Sequence, residues 1–246
     1  MTALVRGTGR PVTVFAHGYG ATAADSRPFG SGVAGTKVFY TALAHDGVAA
    51  PDFGYPALAA QLRGIADEHD ADQAFGASMG AGALCRLMAD TPDRFTRAVF
   101  FLPALLDRPR AVTAAARLDR LGTLADAGDT PGVVELLLTE LPAEVRDSTT
   151  ARAYATRHAE TICQPSMRLV PRRLTTAPVV ESVTDLSEVS ASCLIIGCRG
   201  DAAHPAEVAE QLADTLPNAR LQVFDHPGIV WTERRELRRL IGDFLS

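Results

Sequence analysis

Short apolar runs rich in β-branched and aromatic residues recur along this 246-residue chain, separated by longer stretches rich in alanine and leucine. That rhythm predicts strands alternating with helices, hence a parallel sheet covered on both faces and an α/β class. Strands are predicted at residues 12–16, with a short one at Leu4 and Val5 before it, then near 38–42, at 73–75, 98–102, 193–197 and 220–224. A helix is predicted over 57–68, because Leu58, Leu62 and Ile65 fall at i, i+4 and i+7 on one face. Further helices are predicted over 81–89, ended by Asp90-Thr91-Pro92, and over 233–245, capped by Thr232.

Residues 104–189 separate two buried strands and are too many for a plain connection. Within them, Asp129-Thr130-Pro131 starts a helix well, since Asp or Thr caps free amides and Pro suits the first turn. A second helix is predicted over 151–163, stopped by Pro165. The segment is therefore expected to be a helical cap, inserted into a core made of residues 1–103 and 190–246.

Composition narrows the function classes. Hydrophobic residues make up 47% of the chain, enough for one continuous core. A net charge of −5 does not supply the basic surface that nucleic acid needs, so the expected partner is a small molecule. Residues 1–7 lack the apolar region of a signal peptide and no later apolar run approaches bilayer length, so a cytoplasmic protein without a membrane partner is expected. Cys85, Cys163, Cys193 and Cys198 form no CxxC pair and no zinc-like spacing. They read as reduced, mostly buried thiols, and neither metal nor cofactor is expected.

The chemistry concentrates at Gly76-Ala77-Ser78-Met79-Gly80, between a predicted strand and a predicted helix. A serine hydroxyl is a poor nucleophile unless it is exposed, held against a base and placed beside amides that stabilise an oxyanion. Glycines flanking the serine make room for a tight strand-to-helix reversal, and the helix start supplies the free amide of Met79. Ser78 thus reads as a nucleophile, with a purely structural tight turn as the alternative.

A second motif, His17-Gly18-Tyr19-Gly20, follows the strand at 12–16. Together with the Ser78 turn it resembles the α/β-hydrolase superfamily, from residue 12 onward apart from the cap. The resemblance implies a mostly parallel central sheet flanked by helices, with the cap inserted after the strand at 98–102. It implies Tyr19 as the second oxyanion amide, beside Met79, and His17 as a brace for that loop rather than a catalytic base. It also implies Asp201, in Gly197-Cys198-Arg199-Gly200-Asp201, as the triad acid. The base is expected in the loop after the last strand, where His226 lies, although Ile229 occupies the position at which that superfamily normally has its histidine. His204 shares the Asp201 loop and reads as a surface or packing residue, as do His45, His69 and His158.

The function implied is a serine hydrolase acting on an ester or thioester of a small, mostly apolar acyl substrate through a Ser78 acyl-enzyme. Cap residues Leu136, Leu137, Leu138, Tyr154 and Ile162 are candidates for the pocket wall. A non-hydrolytic enzyme of the same fold, carrying out acyl transfer, cyclisation or proton transfer, is the alternative that the displaced histidine supports. A non-catalytic ligand-binding protein is a third reading.

Overall fold

The computed structural model describes residues 3–246. Its seven strands are β1 (Leu4–Arg6), β2 (Val12–Ala16), β3 (Thr36–Phe39), β4 (Gln73–Ala77), β5 (Arg97–Phe101), β6 (Ser192–Cys198) and β7 (Ala219–Phe224). They form one sheet in the order β1-β3-β2-β4-β5-β6-β7, parallel throughout except that β1 runs antiparallel to β3. The strands either side of β2 are reached in opposite directions, so the carboxyl ends of β2 and β4 border a crevice where the winding reverses.

Before β5 the helices are α1 (Ala23–Ser26), α2 (Tyr55–Glu68) and α3 (Met79–Asp90). Between β5 and β6 come α4 (Val112–Asp126), α5 (Thr130–Thr139), α6 (Ala143–Arg146), α7 (Thr149–Ile162) and α8 (Val170–Thr176). The chain then forms α9 (Ala206–Thr215), α10 (Ile229–Thr232) and α11 (Arg234–Leu245).

Strand side chains alternate between two cores, as period-two geometry requires. Val14, Phe100 and Ile195 join the cluster that contains Leu58, Leu62, Leu84 and Leu212, beneath α2, α3 and α9. Their neighbours Phe15, Phe101 and Ile196 join the cluster of Leu237, Leu240, Ile241 and Leu245 from α11. Because both faces are covered, β2 and β5 read as nearly unbroken apolar runs. A third cluster, including Leu121, Val133, Leu137, Leu138 and Ile162, lies among the helices inserted after β5.

Two predicted elements differ. The strand expected at 38–42 ends at Phe39, because the Ala42 amide donates to the His17 ring at 2.8 Å instead of joining the ladder. The last helix begins at Arg234, and Thr232 closes α10 rather than capping α11. The Glu233 amide still bonds to the Ile229 carbonyl at 2.9 Å, so the chain has not left the preceding turn. The helix start at Asp129 is observed as expected, with its side chain accepting the Gly132 amide at 2.9 Å.

Candidate active site

β4 ends at Ala77 and α3 begins at Met79, leaving Ser78 alone to make the reversal. Its backbone sits at φ 50°, ψ −108°, a left-handed conformation that costs a non-glycine residue about 1–3 kcal/mol and persists only where its surroundings enforce it. The enforcement is visible. The Ser78 amide donates to the Phe101 carbonyl of β5 at 2.9 Å, and the Gly82 amide closes the first helical turn on the Ser78 carbonyl at 3.0 Å.

Both flanking glycines are needed for space. A Cβ on Gly76 would stand 2.5 Å from the Gly80 carbonyl oxygen, and one on Gly80 would stand 2.6 Å from the Ala16 carbonyl carbon. The turn is thereby pressed against the end of β2, which brings Ser78 beside the loop carrying His17, Gly18 and Tyr19.

The group facing Ser78 is His204. Its Nε2 lies 2.9 Å from Ser78 Oγ, and its Nδ1 lies 3.0 Å from Asp201 Oδ2. The other Asp201 oxygen accepts the backbone amides of Ala203 at 2.9 Å and His204 at 3.1 Å. Burial alone would raise the Asp201 carboxyl, but the hydrogen bond and charge of His204, with those two amides, outweigh it and leave the group below its ordinary value. An ionised Asp201 accepts the Nδ1 proton, which leaves the Nε2 lone pair to accept the hydroxyl proton of Ser78.

His226 is not part of this array. Its Nε2 meets Glu233 Oε1 at 3.1 Å and its Nδ1 meets the Pro227 carbonyl at 3.2 Å. The ring is half exposed and does not line the Ser78 cavity. The expectation that His226 reaches Ser78 is therefore corrected: Gly228 takes a left-handed conformation and starts α10, so the loop turns away and pairs the ring with Glu233.

Similarity to solved structures extends over almost the whole molecule. An α/β-hydrolase enzyme from a Medee basin deep-sea metagenome library superposes with a TM-score of 0.80 at 15% identity, covering 99% of this chain and 93% of that one. A meta-cleavage product hydrolase from Pseudomonas fluorescens IP01 superposes with a TM-score of 0.76 at 19% identity, covering 98% and 92%. An esterase from Exiguobacterium antarcticum gives 0.73 at 16% identity, covering 99% and 94%. The chain has the α/β-hydrolase fold. No protein-family model matches the sequence, and no curated protein matches it.

In this α/β-hydrolase fold the loop after β2 is held by two buried histidines. His17 Nδ1 donates to the Gly18 carbonyl at 2.8 Å while its Nε2 accepts the Ala42 amide. His45 Nδ1 donates to the Leu43 carbonyl at 2.9 Å while its Nε2 accepts the Gly20 amide at 3.2 Å. Each ring therefore serves as a neutral bridge. Burial, helped by neighbouring His45, pulls His17 down to about 3, and burial pulls His45 down to about 4. His17 reads as the brace expected of it, with both ring nitrogens committed to backbone.

The linkage has a definite sign. Unfolded histidines titrate near pH 6.5, and these folded ones only near 3 to 4. The stabilisation is thus complete above about pH 6.5 and is lost as the pH falls towards the folded values, at ~1.4 kcal/mol per pH unit per histidine. Urea denaturation between pH 7 and pH 4 is expected to show a falling midpoint, with a shallower fall in His17→Asn. A midpoint independent of pH over this range would contradict the assignment.

A cavity of about 220 Å³ opens in front of Ser78 and His204, lined by the Gly18, Tyr19 and Met79 segment on one side and by inserted helices on the other. Met79 is the first residue of α3, where amides have no intrahelical acceptor. Of the wall residues expected from the sequence, Tyr154 lines this cavity. Leu137, Leu138 and Ile162 pack instead within the inserted helices, with Leu136 against them. Two arginines, Arg110 and Arg117, also line the cavity and were not read from the sequence. A larger groove of about 870 Å³ adjoins it, the two sharing Asp25, Phe29, Tyr154 and Val230.

Among the described residues, no cluster of three or more His, Cys, Asp or Glu is placed to hold a metal ion, and no helix is long and apolar enough to cross a membrane. Cys85, Cys193 and Cys198 are buried and Cys163 partly so, all as free thiols. Burial pushes the Cys193 and Cys198 thiols up to about 12.

Proposed function

We propose that this chain is a serine hydrolase that cleaves an ester or thioester of a small acyl group, with Ser78 as nucleophile, His204 as general base and Asp201 as the acid that orients it. The observation carrying this reading is the continuous hydrogen-bond chain from Ser78 Oγ through His204 to Asp201, at 2.9 Å and 3.0 Å. That arrangement meets the geometric requirement for proton transfer from the attacking hydroxyl.

Ser78 Oγ attacks the carbonyl carbon while His204 Nε2 takes its proton. Asp201 fixes the tautomer and stabilises the imidazolium as it forms. The backbone amides of Tyr19 and Met79 receive the developing oxyanion, preorganised by the braced loop and the start of α3. His204 then returns the proton to the departing alcohol or thiol. Water, activated by the same histidine, attacks the acyl-enzyme and releases the acid.

The cavity is smaller than the range usual for drug-sized ligands, which supports a short acyl group. The reading of a displaced, non-hydrolytic base drew its support from an ill-placed His226. With His204 in hydrogen-bond contact with Ser78, that support is gone. An active-site phosphonate probe is expected to label the wild-type protein and not Ser78→Ala. Equal labelling of both, or labelling of neither, would sink the hydrolase reading.

A further inference from the structure

Arg110 is a cation in the Ser78 cavity that has no carboxylate beside it. Its Nε donates to the Leu174 carbonyl at 3.4 Å, and the Tyr55 hydroxyl is its side-chain partner. Burial is the largest influence on it, lowering its pKa, and the neighbouring Arg117 charge lowers it further while the hydrogen bond with Tyr55 opposes both. Among the described residues it enters no salt bridge.

Arg117, on the same wall, is arranged differently. Its Nη2 meets Glu140 Oε2 at 2.6 Å and its Nε meets the other oxygen, so its charge is met by a two-point carboxylate pair. The cavity thus contains one guanidinium that is neutralised and one that is not.

Removing a charge from water without a counter-charge is unfavourable, so a partly buried and unpaired guanidinium favours an anionic occupant. The planar fork of arginine fits a carboxylate at two points.

The large groove that joins the cavity is open and has room for a leaving group, and Arg110 is not among the residues that line it. Arg110 lies instead where the Ser78 cavity meets a separate recess by Pro205 and Gln211. With the leaving group in that groove, an anion at Arg110 belongs to the acyl part.

We propose that Arg110 binds a carboxylate on the acyl portion of the substrate, so that the enzyme prefers monoesters or monothioesters of short dicarboxylic acids over neutral esters of the same size. This rests on the serine hydrolase reading above and replaces the mostly apolar acyl group expected from the sequence with an anionic one. The reaction balances as ordinary hydrolysis: the acyl C–O or C–S bond breaks, water supplies the hydroxyl, and the leaving group takes the proton.

The test compares monomethyl with dimethyl esters of succinate, glutarate and adipate, which vary charge at matched size and vary the distance between carbonyl and carboxylate. Calorimetric binding to Ser78→Ala needs no turnover. At the best chain length the monomethyl ester is expected to bind about 10- to 100-fold more tightly than the dimethyl ester. That ratio is expected to fall close to unity in Ser78→Ala/Arg110→Met and to be partly kept in Ser78→Ala/Arg110→Lys. Wild-type kcat/KM should show the same preference.

Equal binding of the two esters by Ser78→Ala at every chain length would overturn the proposal, as would an undiminished preference in the Arg110→Met protein. If that variant does not fold, the parent's charge preference and its reduction in Arg110→Lys decide the matter. Ser78-dependent turnover without charge preference overturns this inference alone. Charge-selective binding without Ser78-dependent labelling overturns the hydrolase reading alone.

Discussion

Replacing His204 with alanine is expected to lower kcat/KM for a short acyl ester by roughly 10⁴- to 10⁶-fold, the range seen when the base of a serine triad is removed. His226→Ala is expected to stay within about threefold of wild type. The contrast is sharp because both are histidines on loops at the same edge of the sheet, and only one has its ring 2.9 Å from Ser78 Oγ. His204 is part-buried in its contacts with Ser78 and Asp201, whereas His226 is half exposed and paired with Glu233. Circular dichroism and thermal unfolding of both variants separate loss of chemistry from loss of fold. If His226→Ala loses activity while His204→Ala keeps it, the proposed base is wrong.

Gly80→Ala is expected to lower stability by about 3 kcal/mol or more and to remove activity with it. The added Cβ would stand 2.6 Å from the Ala16 carbonyl carbon and 2.8 Å from the His17 oxygen. These are backbone atoms of a buried strand end, without a flexible tip that could swing aside, so the whole junction of β2 and α3 must move. Gly18→Ala is the matched control. Its nearest contacts, the Ala77 oxygen and Ser78 Cβ, lie at 3.5 Å, which is ordinary van der Waals distance, and a loss below about 1 kcal/mol is expected. Urea denaturation of the two variants measures the difference, and comparable midpoints would refute the steric account.

Most strands were legible because β2, β4, β5 and β6 are short apolar runs buried on both faces, and that pattern survives in sequence. Ser78 was legible for a related reason: its motif is contiguous, and strand, reversal and helix are all written within a few residues. Asp201 was placed by resemblance to a known fold and is found in contact with His204.

The base was not legible from its neighbours. In sequence, His204 is a histidine three residues after an aspartate, a spacing common in any loop. Its meaning comes from 126 residues of separation from Ser78, closed only when β4 and β6 lie on either side of β5. Resemblance drew attention to the loop after the last strand and away from it. Arg110 was hidden similarly, since its place in the Ser78 cavity without a salt-bridge partner shows only in the folded chain. The strand predicted through residue 42 overran because the Ala42 amide is taken by a side chain 25 residues away, an interaction with no local mark.

That the proposed acid and base follow β6 and not the last strand bears on how the molecule tolerates local opening. β7 is an edge strand with no residue fully buried, whereas β6 has neighbours on both sides and six consecutive buried residues. Edges fray at a lower free energy than central strands. In the proposed arrangement both acid and base follow β6, so transient detachment of β7 breaks the bond from the Arg199 amide to the Phe224 carbonyl but none of the hydrogen bonds that join Asp201, His204 and Ser78. Hydrogen exchange at β7 can therefore run ahead of inactivation on warming, and the temperature at which turnover fails reports the interior of the sheet rather than its rim.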